Sequence, residues 1–216
     1  MQNDYKICYK GGEGEIEEKK SRFIAHISPV HSEEEATAFI ASIKKQYWDA
    51  RHNVSAFVIG ERNELTRSSD DGEPAGTAGR PLLDVILSSN IHDICIVVTR
   101  YFGGILLGTG GLVRAYQQAA KAGLEACEII SPTNGYEITI SCDYTMHGKV
   151  EYYLREQNFI IDSTDFDIGV TIHTHIPSEK LESTITAIAD RTAGGARVEK
   201  SDEIKYAYLS SGVITF

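Results

Sequence analysis

Nine residues, Gly103-Gly104-Ile105-Leu106-Leu107-Gly108-Thr109-Gly110-Gly111, hold five glycines and follow the apolar run Ile94 to Val98. Glycine lets a backbone turn sharply and lets a ligand approach the main chain. Where such a stretch opens a helix, the first N–H groups have no partner inside the helix and lie at the positive end of its dipole. That combination receives anions, phosphate above all. The apolar spacing predicts a helix from about Leu112 to Cys127, with Leu112, Tyr116, Ala119, Gly123 and Cys127 inward. Gly108, Thr109, Gly110 and Gly111 then form its mouth, and Arg114 lies in its first turn. Alternatively, the glycines serve close packing of helix on sheet. A Walker Lys-Ser/Thr pair and a G-x-G-x-x-G turn are both missing from this stretch.

A second glycine-rich stretch runs from Arg67 to Pro81, and eight of the 19 glycines fall between Gly72 and Gly111, interleaved with arginine. Asp70, Asp71 and Glu73 in this loop have the hard oxygens that Mg²⁺ prefers. They serve equally as partners for Arg67, Arg80 or Arg100, and Asp-Gly is ordinary turn chemistry. Arg22, Arg51, Arg67, Arg80, Arg100 and Arg114, with His52 and the lysines 19 and 20, are candidates for one basic surface; guanidinium groups suit bidentate contact with phosphate. His52 has the chemistry of an acid or base, but no Ser or Cys partner is identifiable, so no residue is assigned as catalytic. His173 and His175 share one strand face; two histidines do not make a metal site, and a solvated face is expected there. Tyr101-Phe102 is either a stacking surface for a base or core.

Elements that would position these groups are legible from periodicity. Residues 16–30 read as a long strand or hairpin arm. Ser32, with Glu35 three residues on, opens a helix whose inner face is Ala36, Phe39, Ile40, Ile43 and Tyr47. Strands are predicted at 54–59, 65–68 and 93–100, with a short helix near 82–89. Turn residues Ser131 to Gly135 read as a linker. Beyond it, strand (136–142), helix (146–156), strand (159–166), strand (170–176), helix (178–189) and strand (197–202) give the βαββαβ order of ferredoxin-like domains. The expected fold class is therefore α/β, in two-layer α+β form, with domains at 1–131 and 132–216.

Composition narrows the partners. The 216 residues carry a formal net charge of -10 with a pI near 5.2. Residues 1–130 hold 14 Lys and Arg against 18 Asp and Glu; residues 131–216 hold 7 against 13. Duplex DNA is not an expected partner, because counterion release favours the opposite balance, and the second domain is a poor nucleic-acid platform. A local basic patch still acts within a Debye length, which leaves RNA open. Cys8, Cys95, Cys127 and Cys142 form no C-x-x-C pair, so zinc and thiol-redox motifs lack support, and reduced thiols in the cytoplasm are expected. No apolar signal core or membrane-length run is present.

Five motifs, in order, resemble the IMPACT family in its bacterial YigZ-like form. They are Lys20-Ser21-Arg22-Phe23-Ile24, Ala50-Arg51-His52-Asn53, the stretch Ser69 to Gly79, Arg100-Tyr101-Phe102-Gly103-Gly104, and Leu107 to Tyr116. The resemblance implies a first domain with the left-handed βαβ fold of ribosomal-protein and elongation-factor domains. It also implies a small ferredoxin-like second domain and a role near translation. Eukaryotic relatives restrain an initiation-factor kinase and carry an extra N-terminal partner-binding domain; no such domain is expected before residue about 15 here. Three functions are carried forward. The first is a regulatory or binding protein that engages RNA or a ribosome-associated partner through the Gly/Arg-rich surface. Its rivals are a nucleotide- or phosphate-binding enzyme with Mg²⁺ at Asp70-Asp71-Gly72-Glu73, and a protein-interaction module.

Overall fold

The computed structural model describes residues 5–209 and 211–216. The chain divides into two compact units, Met1–Ser131 and Pro132–Phe216.

In the first unit, β1 (Lys6–Lys10), β2 (Glu13–Glu18) and β3 (Ser21–Pro29) precede α1 (Glu33–Gln46). Then follow β4 (His52–Ile59), β5 (Leu65–Ser69), α2 (Gly79–Ser88), β6 (Ile91–His92), β7 (Ile94–Tyr101), α3 (Thr109–Glu125) and β8 (Glu128–Ile130). The main sheet has the order β2-β3-β7-β4-β5, with every neighbouring pair antiparallel. β7 is apolar on both sides, so both sheet faces must be covered. α2 and α3 cover one face, where Phe23, Val54, Ile96, Val98, Leu82, Ile86 and Tyr116 share a core. α1 covers the other, with Ala36 and Ile43 against Phe57, Cys95 and Val97. The β3–α1–β4 crossover leaves β3 and β4 running parallel on either side of β7.

Capping signals at α1 hold: Ser32 Oγ accepts the Glu35 amide at 3.2 Å, and Glu35 accepts the His31 amide at 2.7 Å. The arm at 16–30 is two strands joined at Lys19 and Lys20, both left-handed with φ of 47° and 64°. Two-residue hairpins need that geometry, because it matches strand twist. α3 begins at Thr109, three residues before the predicted start, so Gly110 and Gly111 lie inside its first turn. Propensity places glycine about 1 kcal/mol below alanine in helix interiors; burial of Leu112, Ala115 and Tyr116 against the sheet prevails. A small sheet, β6-β1-β8, was not predicted; its strands are too short to show periodicity.

In the second unit, β9 (Thr133–Cys142), α4 (Tyr144–Glu156), β10 (Ile161–Phe166), β11 (Val170–Pro177), a 3-10 turn (Ser178–Lys180), α5 (Leu181–Thr192) and β12 (Arg197–Lys200) follow the ferredoxin-like order. A terminal hairpin, β13 (Ile204–Leu209) and β14 (Gly212–Thr215), was not predicted. β11 and β12 flank β9, and β10 lies beyond β11. β13 pairs with β9 at Thr133 to Gly135, so these three residues, read as linker, are strand. Ile138, Ile140, Ile172, Val150, Leu154 and Ile188 form a core separate from those of the first unit. No helix of the described residues is long and apolar enough to cross a membrane.

Candidate anion site at the start of α3

The start of α3 is open. Gly108 is its N-cap at φ +72°, a conformation that suits glycine because no Cβ is present to clash. With no side chain, Gly108 offers no cap, and its carbonyl accepts the Leu112 amide at 3.0 Å. Among the described residues, the N–H groups of Thr109, Gly110 and Gly111 find no acceptor. Thr109 and Gly110 are exposed and Gly111 is half-buried. The three amides therefore add their unpaired partial charge to the positive helix end.

Beside this turn is a cavity of about 100 Å³ lined by Glu18, Lys19, Leu107, Gly111, Arg114, Ala115 and Gln118. Arg114 is exposed and makes no ion pair among the described residues. Lys19 arrives from the β2–β3 hairpin, which is locked to the glycine loop by a close approach. A Cβ on Gly103 would overlap the Lys20 carbonyl, and the Gly103 amide donates to buried Ser21 Oγ at 3.1 Å. Sequence reasoning placed Lys19 near the surface but missed Ser21, whose role depends on a residue 82 positions away.

The proposed single basic surface does not assemble. Arg22 and Arg100 leave their strands on opposite faces, because Phe23, which follows Arg22, is the residue paired with Arg100. Arg22 is bidentate to Glu15 at 2.6 and 2.7 Å. Arg80 pairs with Asp84 one helical turn on, at 2.7 Å. Arg51 is exposed just before β4. Arg100 is enclosed: its side chain is 7% exposed and Glu73, at 3%, binds its Nη1 at 2.6 Å. The Tyr116 hydroxyl donates to the same Glu73 oxygen at 2.8 Å. Burial, then the Glu73 carboxylate, push the Tyr116 phenol far above its ordinary pKa, so it remains a donor. Of the arginines named from sequence, only Arg114 lines the cavity at the open helix start.

Loop acids 70, 71 and 73 likewise serve separate internal contacts rather than a shared Mg²⁺ site. Asp70 Oδ1 accepts the amides of Ala78 and Gly79 at 3.0 and 2.8 Å, and Oδ2 accepts that of Gly76 at 2.8 Å. Burial works against its charged form, but the Gly76, Gly79 and Ala78 amides outweigh it and hold its pKa below the usual carboxylate range. Asp71 meets Lys44 Nζ at 2.6 Å and the Asn53 amide at 2.7 Å. No group of three or more His, Cys, Asp or Glu poised for a metal occurs among the described residues. His52 Nδ1 lies 2.9 Å from the Asp71 carbonyl and must donate to it, which leaves Nε2 as the acceptor of the neutral ring. His173 lies near Asp165 and Thr139, and buried His175 binds Asp162 at 2.7 Å.

Fold and site together define a two-unit α/β protein, with a glycine-gated helix start on the first unit and a ferredoxin-like second unit. The Impact N-terminal domain matches residues 19–124, and a domain of unknown function, DUF1949, matches residues 140–194. The chain belongs to the IMPACT family. It is 41% identical to the family member YvyE of Bacillus subtilis (strain 168) over 206 residues, covering 95% of this chain and 94% of YvyE. It is 36% identical to YigZ of Escherichia coli (strain K12) over 187 residues, covering 86% and 92% of the two chains. A crystal structure described as that of a hypothetical protein aligns over 90% of this chain and 95% of its own, with 34% identity and a TM-score of 0.55.

Proposed function

We propose that the first unit binds RNA through its phosphates, at the start of α3, as a regulatory protein acting in the cytoplasm beside the translation machinery. The three partnerless amides of Thr109, Gly110 and Gly111 carry the proposal. A helix start of this kind favours an anion by geometry and by dipole. Arg114 and Lys19, on the adjoining cavity, supply full charges in a chain whose net charge is -10. Local cations in an acidic protein restrict phosphate contact to one place, since the rest of the surface repels the strand. The setting near translation is supported by the family resemblance.

RNA binding measured across a salt series tests it, with wild type beside Arg114→Ala. Binding is expected at low salt and weakens as salt rises, because phosphate contacts release counterions. Removing Arg114 lowers affinity and reduces the salt slope by about 1. Absence of binding at low salt, or an unchanged slope in the variant, refutes the proposal.

A further inference from the structure

The glycine loop carries more than its open amides. Phe102 is 47% exposed, although it directly follows the sheet's central strand. Its ring lies over the Arg100 guanidinium, with Cζ 5.6 Å from the ring centroid. Arg100 is held by Glu73 and also lies 5.4 Å from the Phe23 ring. The Phe102 ring therefore rests on a fixed cation while part of it remains open to solvent. Arg100 Nε is buried without a hydrogen-bond partner, and the Phe23 and Phe102 rings both lie near the guanidinium.

Location links this ring to the proposed phosphate site. Gly103, next to Phe102, packs on the Lys20 carbonyl, and Lys19, next to Lys20, lines the cavity with Gly111 and Arg114. Consecutive Cα atoms are about 3.8 Å apart, so the ring and the cations are separated by a few residues of locked backbone. A nucleotide offers both features such a surface needs, a charged phosphate and a flat π-face. Base–aromatic stacking tolerates any base, and single-strand binders combine it with basic grooves. A guanidinium under one ring face draws electron density from it, which favours an electron-rich purine above.

We infer that Phe102 is a stacking platform for an unpaired purine base of the strand whose phosphates meet the start of α3. The inference rests on the proposed function and adds the strand's single-stranded character and a base preference.

The test uses the full chain with two exchanges, Trp48→Phe and Phe102→Trp. Trp48 is the chain's one tryptophan and is 82% exposed, so the double exchange leaves a single indole reporter, placed on the glycine loop. Oligoadenylate of about eight nucleotides, within the usual span of single-strand sites, and inorganic polyphosphate are titrated at low salt. Oligoadenylate is expected to quench the indole emission, and polyphosphate to bind without quenching. In a companion pair, Phe102→Leu weakens oligoadenylate roughly tenfold and leaves polyphosphate affinity unchanged, while circular dichroism confirms that both variants are folded. Oligoadenylate that binds without quenching, and equally well to Phe102→Leu, overturns the stacking inference and leaves the phosphate site standing. No binding of either probe removes the phosphate site, and the inference with it. Loss of ribosome co-sedimentation in Phe102→Leu with oligoadenylate affinity intact assigns the ring to a protein partner and also overturns it.

Discussion

Two helices of the first unit start from glycine-rich loops, and they treat their free amides in opposite ways. At α2, Asp70 reaches across nine residues of sequence to accept the Gly79 amide, and takes those of Ala78 and Gly76 as well. At α3, Gly108 stands where a capping side chain would be, and the amides of Thr109, Gly110 and Gly111 have no acceptor among the described residues. The same requirement, negative charge at a helix start, is met inside the fold in one case and left to the surroundings in the other. Composition alone treats these loops as equivalent. The difference is one carboxylate within reach.

Breaking the satisfied side has the largest expected effect. Glu73 anchors the α2 loop to Arg100 and Tyr116. Glu73→Ala leaves a buried guanidinium unpaired and is expected to lower stability by about 3–5 kcal/mol. A denaturant titration checks this; a loss under about 1 kcal/mol, closer to ordinary surface values, would show that the pair does little to hold the loop.

Asp70→Asn comes next. It removes the charged acceptor of three amides, at an expected cost of about 1–2 kcal/mol. The sign with pH follows from the depressed pKa of the folded carboxylate. Its contribution is present above the unfolded value, near 3.9, and is lost as pH falls through the lower folded value. Wild type and Asp70→Asn should therefore differ most in melting temperature near neutral pH and converge in acid. A constant gap between the two melting curves across that range would contradict it.

Much of the fold was legible because its signals are local. Ser32 and Glu35 mark α1 within four residues, and the apolar run from Ile94 marks β7. The ferredoxin-like order of the second unit follows from alternating strand and helix periods, up to the terminal hairpin at Ile204–Leu209 and Gly212–Thr215. The candidate site was legible in part. Gly108 to Gly111 and Arg114 were named from spacing, whereas Arg100 was grouped with them although its partner lies 27 residues away. Which face a strand arginine takes depends on register, and Arg22 and Arg100 differ by the alternation of β3 against β7. Ser21 and Lys19 gain their roles only when the hairpin tip meets Gly103.

On the open side, effects on stability are small and effects on binding are specific. Arg114→Ala should leave the melting temperature unchanged and weaken RNA several-fold at low salt, since one phosphate contact is lost. Thr109→Asp would give α3 an acidic group at its start, as Asp70 supplies to α2 from nine residues away. It is expected to stabilise the protein by about 0.3–1 kcal/mol while abolishing RNA binding, because the new carboxylate competes for the amides. A variant that is more stable and still binds normally would separate the helix start from the site.

Amide chemical shifts during titration with a short oligoribonucleotide test the central claim most directly. The signals of Thr109, Gly110 and Gly111 should move downfield together and saturate with the binding curve, while those of Gly76, Ala78 and Gly79, already bonded to Asp70, stay in place. Saturated binding with the three α3 amides unmoved would contradict the account, and the open helix start would then have no part in holding the strand.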